Sequence, residues 1–146
     1  MNELEQREAV VAEALTWLGT PYHHHARVKG GGADCGLSLA AIYEAAGVMP
    51  AVDPGDYTND WHLHNDGEKY LELVEKNARR IEGPPLPGDI VLFKYGRCIS
   101  HGAVVIVWPT ILHAYAIVGE VVLDDAEKNQ ELAERLVGFW SPWGRG

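Results

Sequence analysis

The sequence predicts an α+β domain, with N-terminal helices packed on a central antiparallel β-sheet, and three observations carry that prediction. Helix-period apolar patterning dominates the first half, short β-rich runs dominate the second, and Pro84-Pro85-Leu86-Pro87-Gly88-Asp89 marks the change between them. With 146 residues, 47% hydrophobic and 23% charged, the chain has the size and composition of one folded domain spanning residues 1–146.

In chain order, Leu4, Val11, Leu15 and Leu18 fall near one helical face, so a first helix covers 3–18 and stops at Gly19 and Pro21. Residues 20–33 mix proline, histidines and glycines and form a long irregular connection of the kind that brings backbone close to a ligand. Asp34 is a natural N-cap for a second helix over 35–46, closed by Gly47. Residues 50–66 are a surface excursion before a third helix over 68–78, whose Glu68, Glu72 and Glu75 form a solvated acidic face. Strands follow at 90–94, 102–107, 111–114 and 120–123, then a fourth helix at 126–135 and a last strand at 137–140. The run from Gly102 to Val107 is apolar on both faces, which suits a central strand covered on two sides.

Composition excludes several classes of function. Twelve basic against twenty-one acidic residues leave a net charge of −9, which repels a nucleic-acid backbone. No stretch is long and apolar enough for membrane insertion, and Met1 to Val11 is too charged for a signal peptide, so cytoplasmic synthesis without an export signal is expected. Two cysteines allow at most one disulfide and no four-thiolate zinc site, so a thiol is available for reactivity.

That thiol is best sought at Asp34-Cys35, because the positive end of a helix dipole stabilises a thiolate. A thiol nucleophile needs a base, and the base needs a third group to hold its ring. His101 and His113 are twelve residues apart, flanking an apolar strand and a turn at Trp108-Pro109-Thr110. An odd hairpin loop puts both rings on one face of the sheet, whereas an even loop without a bulge separates them. Each residue also has a structural reading, the cysteine as a small buried hydrophobe and the histidines as hydrogen-bonded core residues. The glycine-rich loop before Cys35 favours the reactive one. Cys98, His101 and His113 could instead ligate zinc, although a second paired-ligand motif is lacking. His23, His24, His25, His62 and His64 lie in predicted loops and are read as solvated, with a pocket role open for His24 or His25.

Taken together, five segments resemble the NlpC family of papain-like cysteine peptidases, which cleave peptide bridges in bacterial cell walls. They are Trp17-Leu18-Gly19-Thr20-Pro21-Tyr22, Gly32-Ala33-Asp34-Cys35-Gly36-Leu37, Pro87-Gly88-Asp89-Ile90-Val91-Leu92-Phe93, Ser100-His101-Gly102-Ala103-Val104 and Ile111-Leu112-His113-Ala114, in the family's order and spacing. The resemblance implies Cys35 as nucleophile, His101 as base and His113 as its orienting partner, with the Cys35 N–H donating to the oxyanion. It places Tyr22 beside the nucleophile and Asp34 and Gly36 in positions that help seat substrate, with no metal or organic cofactor. Many members carry serine after the nucleophile, where this chain has Gly36. The implied substrate is a peptidoglycan stem peptide, commonly at the D-γ-glutamyl bond to diaminopimelate.

The form of the first loop and the Leu136-Val137-Gly138-Phe139-Trp140 ending look most like members encoded by tailed bacteriophages, prophages and gene transfer agents. That subtype implies tail or particle proteins as partners and delivery to the cell wall in a phage-like particle. The 146 residues leave no room for the wall-binding repeats of many secreted members, so targeting would come from a partner. Two other functions fit the same residues: a catalytically silent structural tail component, and a thiol-dependent amidase or acyl transferase acting on another amide.

Overall fold

The computed structural model describes residues 2–23, 27–50 and 69–143. In order, these form α1 (Glu3–Leu15), β1 (Arg27–Val28), β2 (Gly32–Ala33), α2 (Cys35–Ala45), α3 (Lys69–Glu75), β3 (Arg79–Ile81), β4 (Ile90–Tyr95), β5 (Cys98–Val107), β6 (Thr110–Tyr115), β7 (Glu120–Asp125), α4 (Gln130–Arg135) and β8 (Leu136–Ser141). The α+β class holds. Six strands make one antiparallel sheet in the order β3-β8-β4-β5-β6-β7, and β1 and β2 pair separately.

Local chemistry sets the boundaries. The Asn2 and Glu5 side chains form a capping box that starts α1. The helix ends at Leu15 and not at Leu18, because residues 16–19 tighten into a turn that leaves through Gly19 at φ +83°, a conformation that suits glycine. The Gly19 N–H then donates to the Val121 carbonyl, which ties this corner to β7. Asp34 caps α2 as expected, accepting from the Leu37 N–H at 2.8 Å.

Four expectations shift. Helix α3 stops at Glu75 and not at Ala78, since residues 79–81 are drawn into the sheet against β8. Its acidic face is not wholly solvated, because Glu75 accepts a hydrogen bond from the Trp140 indole at 3.0 Å. Helix α4 begins four residues later than predicted: Asp125 takes the N–H groups of Glu127 and Lys128 into a turn, and Asn129 becomes the N-cap. Strand β5 begins at Cys98, so His101 lies within it. The 50–66 excursion after Pro50, together with His62, His64, Glu68, His24 and His25, lies outside the described residues.

Strand alternation divides the apolar side chains into two clusters. Ile90, Leu92, Val104, Leu112 and Ala114 face α1, α2 and α3 with Val10, Leu39 and Ile42. Val91, Phe93, Ala103, Val105 and Ile111 face the opposite side, where Leu132 of α4 packs. Both faces of β5 are covered, as its unbroken apolar run predicts.

The helical layer is fastened to the start of β4 by a buried ion pair. Arg7, 5% exposed, donates to Asp89 Oδ1 at 2.9 Å and to the Pro87 carbonyl at 2.9 Å, and its guanidinium lies 4.2 Å from the Trp143 ring centroid. Asp89 also accepts from the Leu86 N–H at 2.9 Å, closing the turn. The Pro87-Gly88-Asp89 segment is thereby a joint between layers. Arg7→Leu leaves the Asp89 carboxylate buried without its cation, and we expect a loss of about 3–5 kcal/mol in urea unfolding, with a loss under about 1 kcal/mol contradicting this account.

Candidate active site

Cys35 occupies the first position of α2, held there by the Asp34 cap. It is 8% exposed and opens onto a cleft of about 210 Å³, which is also lined by Tyr22, Tyr95, Ser100, His101, Tyr115 and Ile117. Cys35 belongs to the helical side of the sheet, whereas His101 shares the alternation of Ala103 and Val105 on the opposite side. They reach one cleft because the sheet opens between them. The β5–β6 ladder runs only from Val107 and Thr110 to Val104 and Leu112, while β5 stays paired with β4 as far as Cys98 and β6 with β7 as far as Tyr115. The α2 N-terminus sits at this opening, and the Cys35 thiol points toward the Ser100 carbonyl at 3.6 Å.

The two histidines meet across the same gap. His101 Nε2 and His113 Nδ1 are 2.7 Å apart, and both rings are buried. The hairpin joining their strands has an even, two-residue connection, Trp108-Pro109, which by itself would place His113 on the face of Val104. One extra residue, Ile106, shifts the register between Val105 and Val107 and restores the odd count. The rings share a face through a bulge that the spacing alone does not reveal.

The electrostatics differ from the dipole expectation. Burial pushes the Cys35 thiol up to about 12, and the neighbouring Asp34 carboxylate adds to the rise. The Tyr70 hydroxyl and the backbone N–H groups of Gly102 and Cys35 oppose it without reversing it. Burial also lowers the His101 imidazole well below the ordinary value of 6.5, and the neighbouring His113 adds to that. Burial lowers His113 too, opposed by its contact with Asp124. The resting pair is therefore a neutral thiol beside a neutral imidazole. Desolvation of the buried sulfur and the charge of the capping Asp34 outweigh the helix dipole.

Tyr22 is half-buried, bridged to Ala33, and its N–H donates to the Gly119 carbonyl, which sets its ring at the cleft beside Cys35. Asp34 is buried and serves as the cap. Gly36 lies away from the cleft and lines a small apolar cavity between α2 and α3 with Leu39, Tyr43 and Val74. Cys98 is buried and forms no disulfide, and His23 is exposed at the loop. Among the described residues no three His, Cys, Asp or Glu side chains gather as a metal site, so the Cys98, His101 and His113 set is not assembled as one.

Several site residues escape the sequence. Tyr70 of α3 donates to the Cys35 carbonyl at 3.3 Å. Asp124 of β7 lies 3.1 Å from His113 Nε2, and Tyr95 and Tyr115 both donate to Glu131 while their rings flank His101. Asp124 had one available signal: it shares the alternation of Val122, which pairs with His113. Tyr70 also explains Gly102, where an added Cβ would stand 2.6 Å from the tyrosine oxygen and 3.0 Å from Leu39 and Leu92 carbons.

No family model and no curated protein sequence matches the chain. Solved structures match its fold. A Staphylococcus aureus NLP/P60 family protein, similar to a lipoprotein, superposes with a TM-score of 0.69 at 16% identity over 97% of this chain and 42% of its own. The NlpC/p60 domain of the peptidoglycan hydrolase SagA gives 0.58 at 18% identity over 92% of this chain and 97% of its own. The peptidoglycan hydrolase RipB from Mycobacterium tuberculosis gives 0.64 at 14% identity over 97% and 67%. The chain thus spans about two fifths of the S. aureus protein's length.

Two measurements check this site. Gly102→Ala must displace the Tyr70 hydroxyl or the strand, and we expect a loss of about 1–3 kcal/mol in denaturant unfolding, where an unchanged midpoint would contradict the contact. Alkylation of Cys35 by iodoacetamide, followed by mass spectrometry, should climb about tenfold per pH unit from pH 7 to 10 without levelling, because the thiolate is scarce throughout that range. A plateau near neutrality would show a preformed thiolate–imidazolium pair instead. By its topology the chain has the papain-like fold of the NlpC/P60 structures.

Proposed function

We propose that this domain is a cysteine peptidase that cleaves peptidoglycan stem peptides through Cys35, His101 and His113. The observation that carries the proposal is the cleft itself: a thiol at a helix N-terminus and a histidine line it together, and that histidine's Nε2 is 2.7 Å from a second histidine. The likeness in fold to peptidoglycan hydrolases supports the substrate class.

The two neutral partners define the chemistry. As the thiol attacks the scissile carbonyl, His101 removes its proton and a C–S bond forms. The oxygen takes the negative charge and accepts from the Cys35 N–H, which has no partner within the helix. Collapse breaks the C–N bond as His101 returns the proton to the leaving amine, and water, deprotonated by the same imidazole, hydrolyses the thioester. Tyr22 borders the attack trajectory. Asp34 acts through the helix cap, and Gly36 lines the apolar cavity between α2 and α3.

Within this reading the bond cleaved is D-γ-glutamyl-diaminopimelate, and residues 1–146 form one catalytic domain carried to the wall by a phage or prophage tail. The five sequence segments support the first, and the form of the first loop supports the second.

Incubation with purified muropeptides should release fragments detectable by mass spectrometry, with Cys35→Ala reducing the rate by at least about 1,000-fold. Intact muropeptides from pH 5 to 9 with folded, reduced protein would overturn the substrate assignment. The pH dependence of kcat/KM follows from the base being needed in its neutral form. Since His101 loses its proton below the ordinary value of 6.5, the acid limb should fall below pH 6.5 and activity should be flat above it into the neutral range. A limb centred above 6.5 would contradict a buried, neutral base.

A further inference from the structure

Asp124 closes a line of hydrogen bonds that the three residues above leave open at one end. On the β6–β7 ladder His113 stands opposite Val122 and Ile111 opposite Asp124, so Asp124 is the diagonal neighbour of His113 on one face. Its Oδ2 lies 3.1 Å from His113 Nε2 and accepts from Asn129 Nδ2 at 2.8 Å, while its Oδ1 accepts from the Asp125 N–H at 2.8 Å. The Asn129 amide is oriented by the α4 cap, because its oxygen takes the Leu132 N–H.

Donor and acceptor counting then fixes the protons. A carboxylate only accepts, so His113 must carry hydrogen on Nε2. A neutral imidazole has one N–H, which makes His113 Nδ1 an acceptor and requires His101 to donate from Nε2 across the 2.7 Å contact. The lone pair of His101 is left on Nδ1. We infer that Asp124 is a positioning residue that holds both imidazoles as Nε2–H tautomers and so keeps His101 Nδ1 available to take the Cys35 proton. This rests on the peptidase reading only for what the proton is used for.

The other groups around His113 do not substitute for it. His101 faces it from β5, and Tyr115, stacked on it at 4.5 Å between centroids, comes from its own strand. Glu131 of α4 is the remaining acid on that side, and its carboxylate is engaged by the hydroxyls of Tyr95 and Tyr115. In Asp124→Asn, the Asp125 N–H keeps an oxygen at the Oδ1 position. The new amide nitrogen then meets Asn129 Nδ2 and His113 Nε2, donor against donors. Moving the His113 proton to Nδ1 relieves the second conflict, and His101 must follow, which blocks its Nδ1.

The test is two-bond 1H–15N NMR of the histidine rings in uniformly 15N-labelled full-length protein at pH 8. Wild type should show Nε2–H for both His101 and His113, Asp124→Asn should show Nδ1–H for both, and Asp124→Glu should restore the wild-type pattern. Muropeptide cleavage should fall by about 100-fold or more in Asp124→Asn and recover in Asp124→Glu. A wild-type His113 protonated on Nδ1, or an Asp124→Asn protein with unchanged tautomers, would overturn the inference, and the first needs no variant to fold. Wild-type protein that leaves muropeptides intact yet shows both Nε2–H rings would sink the substrate reading while supporting the role of Asp124.

Discussion

The pairing of β5 with β6 stops at Val104 and Leu112, and the cleft exists because it stops there. A continuous sheet would wall off the helical side from the other, leaving Cys35 and His101 in separate environments. At the opening β5 stays paired on its other edge with β4 and β6 with β7, so both strands keep their place in the sheet. Side chains fill it: the two imidazoles bridge it, and the α2 N-terminus brings the thiol to its mouth. Gly102 sits where a side chain would displace Tyr70, so the absence of a Cβ there is part of the same construction.

What could be read from the sequence follows from this geometry. The cap at Asp34, the buried run of β5 and the proline-rich joint at 84–89 are local signals, and each names an element without knowledge of its neighbours. The shared face of His101 and His113 is a different kind of fact, because it depends on a count of residues through a hairpin. The even Trp108-Pro109 connection argues for separation, and one bulged residue at Ile106 reverses the answer. Nothing in the apolar stretch Val104-Val105-Ile106-Val107 marks which residue is extra. Strand β3 was hidden for a related reason: Arg79-Arg80-Ile81 has little strand character of its own and is extended because β8 offers it an edge.

Charge at Cys35 shows a conflict between two roles of Asp34. The Asp34 carboxylate caps α2, a contact worth about 1 kcal/mol in other helices. The same negative charge, beside a sulfur already removed from water, opposes thiolate formation. The helix dipole and the Tyr70 hydroxyl are too weak to offset burial and a full charge together. In the proposed mechanism such a site holds the thiol protonated and unreactive toward solvent, and leaves its activation to the histidine. Such a division of labour places weight on the base being neutral and correctly oriented, and burial of His101 secures the first of those conditions.

The second condition is met from the far side of the sheet. Successive contacts run from His101 on β5 to His113 on β6, Asp124 on β7 and Asn129 at the start of α4, each on the next element along. Asn129 has two tasks that share one amide: its oxygen holds the Leu132 N–H of the helix and its nitrogen holds Asp124. The cap geometry therefore decides which end of that amide Asp124 meets and, in the inferred arrangement, which nitrogen of each ring carries hydrogen. Leu132, fully buried under Val91, Phe93 and Val105, locks α4 against the sheet and so anchors the whole line. The apolar core on the face away from Cys35 is then more than support for the strands. It fixes the helix whose N-cap, Asn129, orients the carboxylate proposed to orient the base.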